Sequence, residues 1–150
     1  MKSLFNPADN QQMIERINKI TADAQPLWGK MNASQMMAHS QMPLKVAYGN
    51  VKLKRGLMSM LFGSMVKKRL TGDERTFQKN LPTDKSFLVK DTPNFEEAKT
   101  NLIALVREFV NSGPSGLTKD PHPFFGKLTS QEWDILMWKH LDHHLRQFGV

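Results

Sequence analysis

The sequence predicts an all-α protein: a four-helix bundle with long crossover connections and one extra short helix. Three observations lead there. Four segments place apolar residues at helical spacing, most of them just behind a residue type that caps helix N-termini. Strand alternation is weak throughout and is confined to Ser86-Phe87-Leu88-Val89, which reads as one short extended piece. Finally, 150 residues with 39% apolar content make one domain, residues 1–150, able to bury a core without disulfides; the chain has no cysteine.

The first helix opens at Asn6-Pro7, a cap followed by a proline whose missing N–H would be unbonded in the first turn anyway. Its stripe is Met13, Ile14, Ile17 and Ile20. The second opens at Asn32, with Gln35 at the spacing of a capping box. Met36, His39 and Met42 follow at steps of three, and Pro43 is expected to kink or end the helix. Residues 53–70 are apolar almost all round and read as the extra short helix, either buried or a lid; the run 56–66 is too short to span a bilayer. The third principal helix opens near Asn94, carries Phe95, Ala98, Leu102, Leu105, Val106 and Phe109, and stops at Asn111-Ser112-Gly113-Pro114. The fourth opens at Thr129, where Glu132 completes another capping box. It runs through Trp133, Leu136, Met137, His140, Leu141, His144 and Phe148 to Gly149. Two irregular stretches, 71–93 and 111–128, are rich in Pro, Gly and Asp; connections of that length in a compact domain usually cover something.

The formal net charge of +7 is unevenly placed: residues 1–75 hold 12 Lys/Arg against 5 Asp/Glu, and residues 76–150 hold 9 against 9. Lys45, Lys52, Lys54, Arg55, Lys67, Lys68 and Arg69 equal the whole excess within 45–69, a segment with no acid. An anion site is one reading, and solvated helix ends are the commoner one. Only Tyr48 and Phe62 interleave this segment, too few for base stacking, so nucleic acid is not an expected partner. The first residues, Met1 to Pro7, hold no leader-like apolar run, and a soluble cytoplasmic protein is the expectation.

The histidines carry the chemistry. Trp133, Met137, His140, His144 and Phe148 follow steps of four, three, four and four, so His140 and His144 lie within an apolar stripe. His39 shares the stripe of Met36 and Met42. One inward histidine is ordinarily a hydrogen-bonded core residue. Three imidazoles on apolar faces are costly to bury without partners, which favours a shared metal ion held by His39, His140 and His144. Three protein ligands leave a position open to water or substrate. Asp142 or Gln147 could orient the ligand histidines. His143, about 100° off the stripe, reads as flanking or solvent-facing. His122 reads as a surface loop histidine, with a contact to a ligand or substrate as the alternative, and Phe124-Phe125-Gly126 as the staple of its loop. Met36, Met37, Met42, Met58, Met60 and Met65 read as adaptable core filling, with a deformable pocket wall as the alternative. No Ser-His-Asp set, paired carboxylates or glycine-rich phosphate loop emerges.

The run from Trp28 to His39, Trp-Gly-Lys-Met-Asn-Ala-Ser-Gln-Met-Met-Ala-His, resembles the second-helix signature of the DinB/YfiT-like superfamily, and His140-Leu141-Asp142-His143-His144-Leu145-Arg146-Gln147 resembles its last-helix signature. Asn80-Leu81-Pro82-Thr83 and residues 122–128 look like a branch described only as a domain of unknown function. The resemblance implies a four-helix bundle with a long crossover that binds a divalent metal through His39, His140 and His144. Some members transfer a low-molecular-weight thiol to a substrate and others isomerise with a thiol cosubstrate; relatives often dimerise. Gln35 stands where many relatives carry glutamate. The expected function is therefore a metal-dependent, thiol-dependent transferase acting on a small molecule, anionic if the basic segment attracts it. The alternatives are a hydrolase on the same site and a non-enzymatic binding module using the basic 45–69 face.

Overall fold

The computed structural model describes residues 2–53, 67–68, 71–72, 76–80 and 85–150. Among them stand four long helices and no strand: α1 (Pro7–Lys19), α2 (Ala33–Ala47), α3 (Phe95–Ser112) and α4 (Ser130–Gln147). The all-α expectation holds, and the helix starts fall where the caps predict. Asn6 accepts from the N–H groups of Ala8 and Asp9, with Pro7 in the first turn. Asn32 with Gln35, and Thr129 with Glu132, close reciprocal capping boxes, and Asn94 caps α3 through the Glu97 N–H. Each such cap contributes about 1 kcal/mol. α3 ends at Gly113, whose φ of 60° suits a residue without a Cβ.

Three expectations need comment. Pro43 does not end α2, which runs on to Ala47. Proline removes the one bond to the carbonyl four residues back, but Pro43, Leu44, Val46 and Ala47 are all buried, and that packing outweighs the loss. Residues 86–89 form no strand; Lys85–Phe87 is one turn of 3-10 helix that buries Phe87. An extended piece needs a neighbouring strand for its N–H and C=O groups, and the described residues supply none. The short apolar helix expected over 53–70 lies outside the described residues, apart from 53, 67 and 68. So do Met58, Met60 and Met65.

α1 and α2 each pack against both α3 and α4, which closes the bundle. The core takes Met13 and Ile17 from α1, Met36, Met37 and Leu44 from α2, Leu102, Val106 and Phe109 from α3, and Trp133, Met137 and Leu141 from α4. Burying each large side chain contributes about 1.5–3 kcal/mol before entropy. Polar ties fix the helices in register. The Asn10 amide donates to the Leu4 and Val106 carbonyls at 2.8 and 2.7 Å, joining α1 to α3. The Asp134 carboxylate accepts from Ser3 Oγ at 2.5 Å and the Leu4 N–H at 2.7 Å, strapping the N-terminal segment onto α4. Lys99 Nζ donates to the Asn18 and Ile20 carbonyls, both at 3.0 Å, and so neutralises the end of α1. No helix among the described residues is long and apolar enough to cross a membrane.

Candidate metal centre

The contact of α2 with α4 brings the three inward histidines together. His39 lies on the α2 face that buries Met36, and the helical repeat sets His140 and His144 one turn apart on α4. Ring centroids are 5.1 Å apart for His39–His140, 4.8 Å for His39–His144 and 4.6 Å for His140–His144. One ring nitrogen from each lies within 4.8 Å of the others. His39 Nε2 and His140 Nε2 stand 3.2 Å apart. Two donors on a tetrahedral ion with bonds of about 2.0–2.1 Å would be about 3.3 Å apart, so this spacing fits a shared cation. His39 and His144 are buried, and His140 is partly exposed as a residue.

Hydrogen bonds on the outer nitrogens decide which nitrogens face inward. The Phe87 carbonyl can only accept, so His39 Nδ1 carries the proton of that 2.9 Å bond and Nε2 carries the lone pair. The Gln147 amide donates its Nε2 to the Trp28 carbonyl at 2.6 Å, which makes its Oε1 the acceptor for His144 Nδ1 at 2.9 Å. His144 Nε2 is then also a lone-pair donor. This outer bonding is the arrangement that metal-ligating histidines use to fix tautomer and ring direction.

Electrostatics keep the cluster neutral. Burial, opposed by the bond to Phe87, lowers the His39 pKa. Burial and then repulsion from its neighbours hold His140 well below the usual imidazole range. Burial, reinforced by His39, pushes His144 down to about 3. Neutral imidazoles are the form that ligates.

The remaining candidates fall elsewhere. Asp142 does not orient a ligand histidine: its carboxylate takes Arg16 on one oxygen and Arg146 on the other, both at 2.8 Å. His143 lies at the rim rather than in open solvent, with its ring edge-on to Trp28 at 5.8 Å and near Phe77 at 6.1 Å. Lys79 Nζ sits 4.4 Å over the Trp28 ring on the same rim. His122 is not a surface residue. It is buried, stacks on Phe125 at 4.5 Å, and its Nδ1 accepts from the N–H groups of Phe124 and Phe125 at 3.0 and 3.2 Å. Phe124 in turn packs on Phe87, so this turn staples its loop over the site as the sequence suggests. Gln35 is turned away into its capping box, accepting from the Asn32 N–H at 3.1 Å. Met36 and Met37 are fully buried core residues.

Two groups that orient the cluster escape sequence reasoning, the Phe87 and Trp28 carbonyls. A backbone acceptor has no residue signature, and only the buried Phe87 hints at its placement.

A family model described as a protein of unknown function, DUF1569, matches residues 5–149. No curated protein and no solved structure matches the chain.

Proposed function

The chain belongs to the DUF1569 family, whose description assigns no activity, and from that premise we propose that it is a divalent-metal-dependent enzyme, a transferase that uses a small thiol from solution. The observation that carries this reading is the convergence of three neutral imidazoles, two of them with their lone pairs turned inward by Phe87 and Gln147. His39, His140 and His144 would hold the ion, zinc or nickel by preference, within a DinB/YfiT-like bundle. Bound there, the ion would supply Lewis acidity that favours the anionic form of a thiol or water at its open position. The protein's own groups do the rest. Phe87 and Gln147 hold the His39 and His144 rings in one tautomer. Trp28, Lys79 and Phe77 supply an aromatic and cationic rim for an anionic small-molecule substrate. Because the chain has no cysteine, the thiol has to be a cosubstrate.

The test is a turnover screen of metal-loaded protein with electrophilic substrates, run with and without a panel of low-molecular-weight thiols. Thiol-dependent turnover that is lost in His144→Ala is the expected result. Turnover without any thiol would favour hydrolysis on the same site. A binding module on residues 45–69 has less support. Of its described cations, Lys52 is paired with Asp120 at 3.0 Å and Lys67 with Glu132 at 3.1 Å. That module would require anionic-polymer binding that survives His39→Ala and falls steeply with salt.

A further inference from the structure

A groove of about 730 Å³ lies between α1 and α4, within the size range of small-molecule sites. It is on the back of the histidine-bearing helix. Asp142, in its wall, is two residues from both His140 and His144, which is 200° round the helix.

The wall is built. Asp142, itself buried, holds Arg16 Nη1 on one oxygen and Arg146 Nε on the other. Arg16 is fixed further by donating Nη2 to the Val150 carbonyl at 3.0 Å. One carboxylate therefore anchors two guanidinium groups and neutralises only one. Lys2 and Asp9 offset each other at 2.7 Å, and Lys139 lies buried in the same wall. Arg146 is anchored through Nε alone, its side chain is 59% exposed, and its terminal nitrogens have no partner among the described residues. The half-buried Trp138 lines the same groove and offers an indole ring.

We propose that this groove is a second ligand site, separate from the histidine cluster, for a planar organic oxyanion: a phosphate or carboxylate group taken by Arg146, with a flat ring against Trp138. A guanidinium held in place by a carboxylate is pre-organised for an oxyanion, since less side-chain freedom is lost on binding. Two guanidinium groups held on one carboxylate suit a ligand bearing a full negative charge, and the groove is larger than a bare inorganic ion needs.

The test titrates phenyl phosphate and, separately, inorganic phosphate into the full chain while the tryptophan indole N–H resonances are followed by NMR, with Trp138 assigned from Trp138→Phe. The expected result is a saturable shift of the Trp138 resonance, tighter for phenyl phosphate than for inorganic phosphate. Arg146→Ala should weaken it about tenfold or more, the scale of one charge-assisted hydrogen bond. His144→Ala should leave it within about twofold. Arg146→Gln, which keeps length and N–H donors but not charge, gives the same comparison if Arg146→Ala does not fold. No saturable shift up to about 10 mM, a weaker interaction than any specific site of this size should give, would overturn the proposal. So would affinity unchanged from the parent chain in the Arg146 variants, or a shift lost with His144 alone, which would place the anion on the histidine cluster instead.

Discussion

The proton on His39 Nδ1 is the smallest feature on which the site depends. Because the Phe87 carbonyl accepts its hydrogen bond, Nε2 faces His140 as a lone pair, and the 3.2 Å between the two Nε2 atoms is bridged either by the His140 proton or by a shared cation. Gln147 does the same for His144. Gln147→Ala should therefore weaken zinc affinity about 10- to 100-fold while leaving the three ligands in place, read by competition with a chromophoric chelator. Unchanged affinity would mean that the amide orients nothing. His122 is the contrasting case, a buried ring that serves the loop and not the cluster. His122→Phe should cost about 1–3 kcal/mol in chemical denaturation by leaving two N–H groups without their acceptor, with metal content unchanged. Loss of metal in that variant would put His122 in the site.

Among the elements, α4, which carries two of the three candidate ligands, was the most legible. Its capping box, its apolar steps of four and three, and the pair His140 and His144 are all local signals in the sequence, and they fall where the structure has them. α2 was legible at its start, but Pro43 does not end it, because the local cost of a proline is visible in sequence and the burial that offsets it is tertiary. Residues 86–89 were misread for a similar reason. Their β-branched and aromatic content favours extension, but no strand stands beside them, and Phe87 turns inward to offer its carbonyl to His39. Of the two residues that the sequence offers to orient a ligand, Gln147 bonds His144, whereas Asp142 faces the other way toward Arg16 and Arg146. Helix register depends on nonlocal polar contacts as well, which no periodicity reveals. Asn10→Leu should cost about 2 kcal/mol or more by thermal or urea unfolding, since the Leu4 and Val106 carbonyls would remain buried without their donor. A loss below about 0.5 kcal/mol, the usual range of surface changes, would show that this tie is dispensable.

For the whole molecule, the price of gathering imidazoles in a core appears as a pH dependence. In the folded chain burial lowers the pKa of His39, His140, His143 and His144, the last to about 3. In the unfolded chain histidines titrate near about 6.5. Below that pH the unfolded state binds more protons, so stability is complete above about 6.5 and falls as pH drops, by up to about 1.4 kcal/mol per pH unit for each histidine. Metal-free protein should melt at lower temperature at pH 5 than at pH 7, and His144→Ala should flatten that slope. A melting temperature independent of pH over this window would contradict the buried neutral cluster. Metal binding should oppose the effect near neutral pH and fail on acidification, as protons compete for the same nitrogens. The central claim is that His39, His140 and His144 act together as one ion site, and metal content tests it most directly. Protein purified without chelator or metal-affinity resin, then analysed by plasma mass spectrometry, should carry close to one equivalent of a divalent ion, and His144→Ala next to none. Metal-free protein that also refuses added zinc and nickel, or a His144→Ala variant that keeps its full equivalent, would contradict the account.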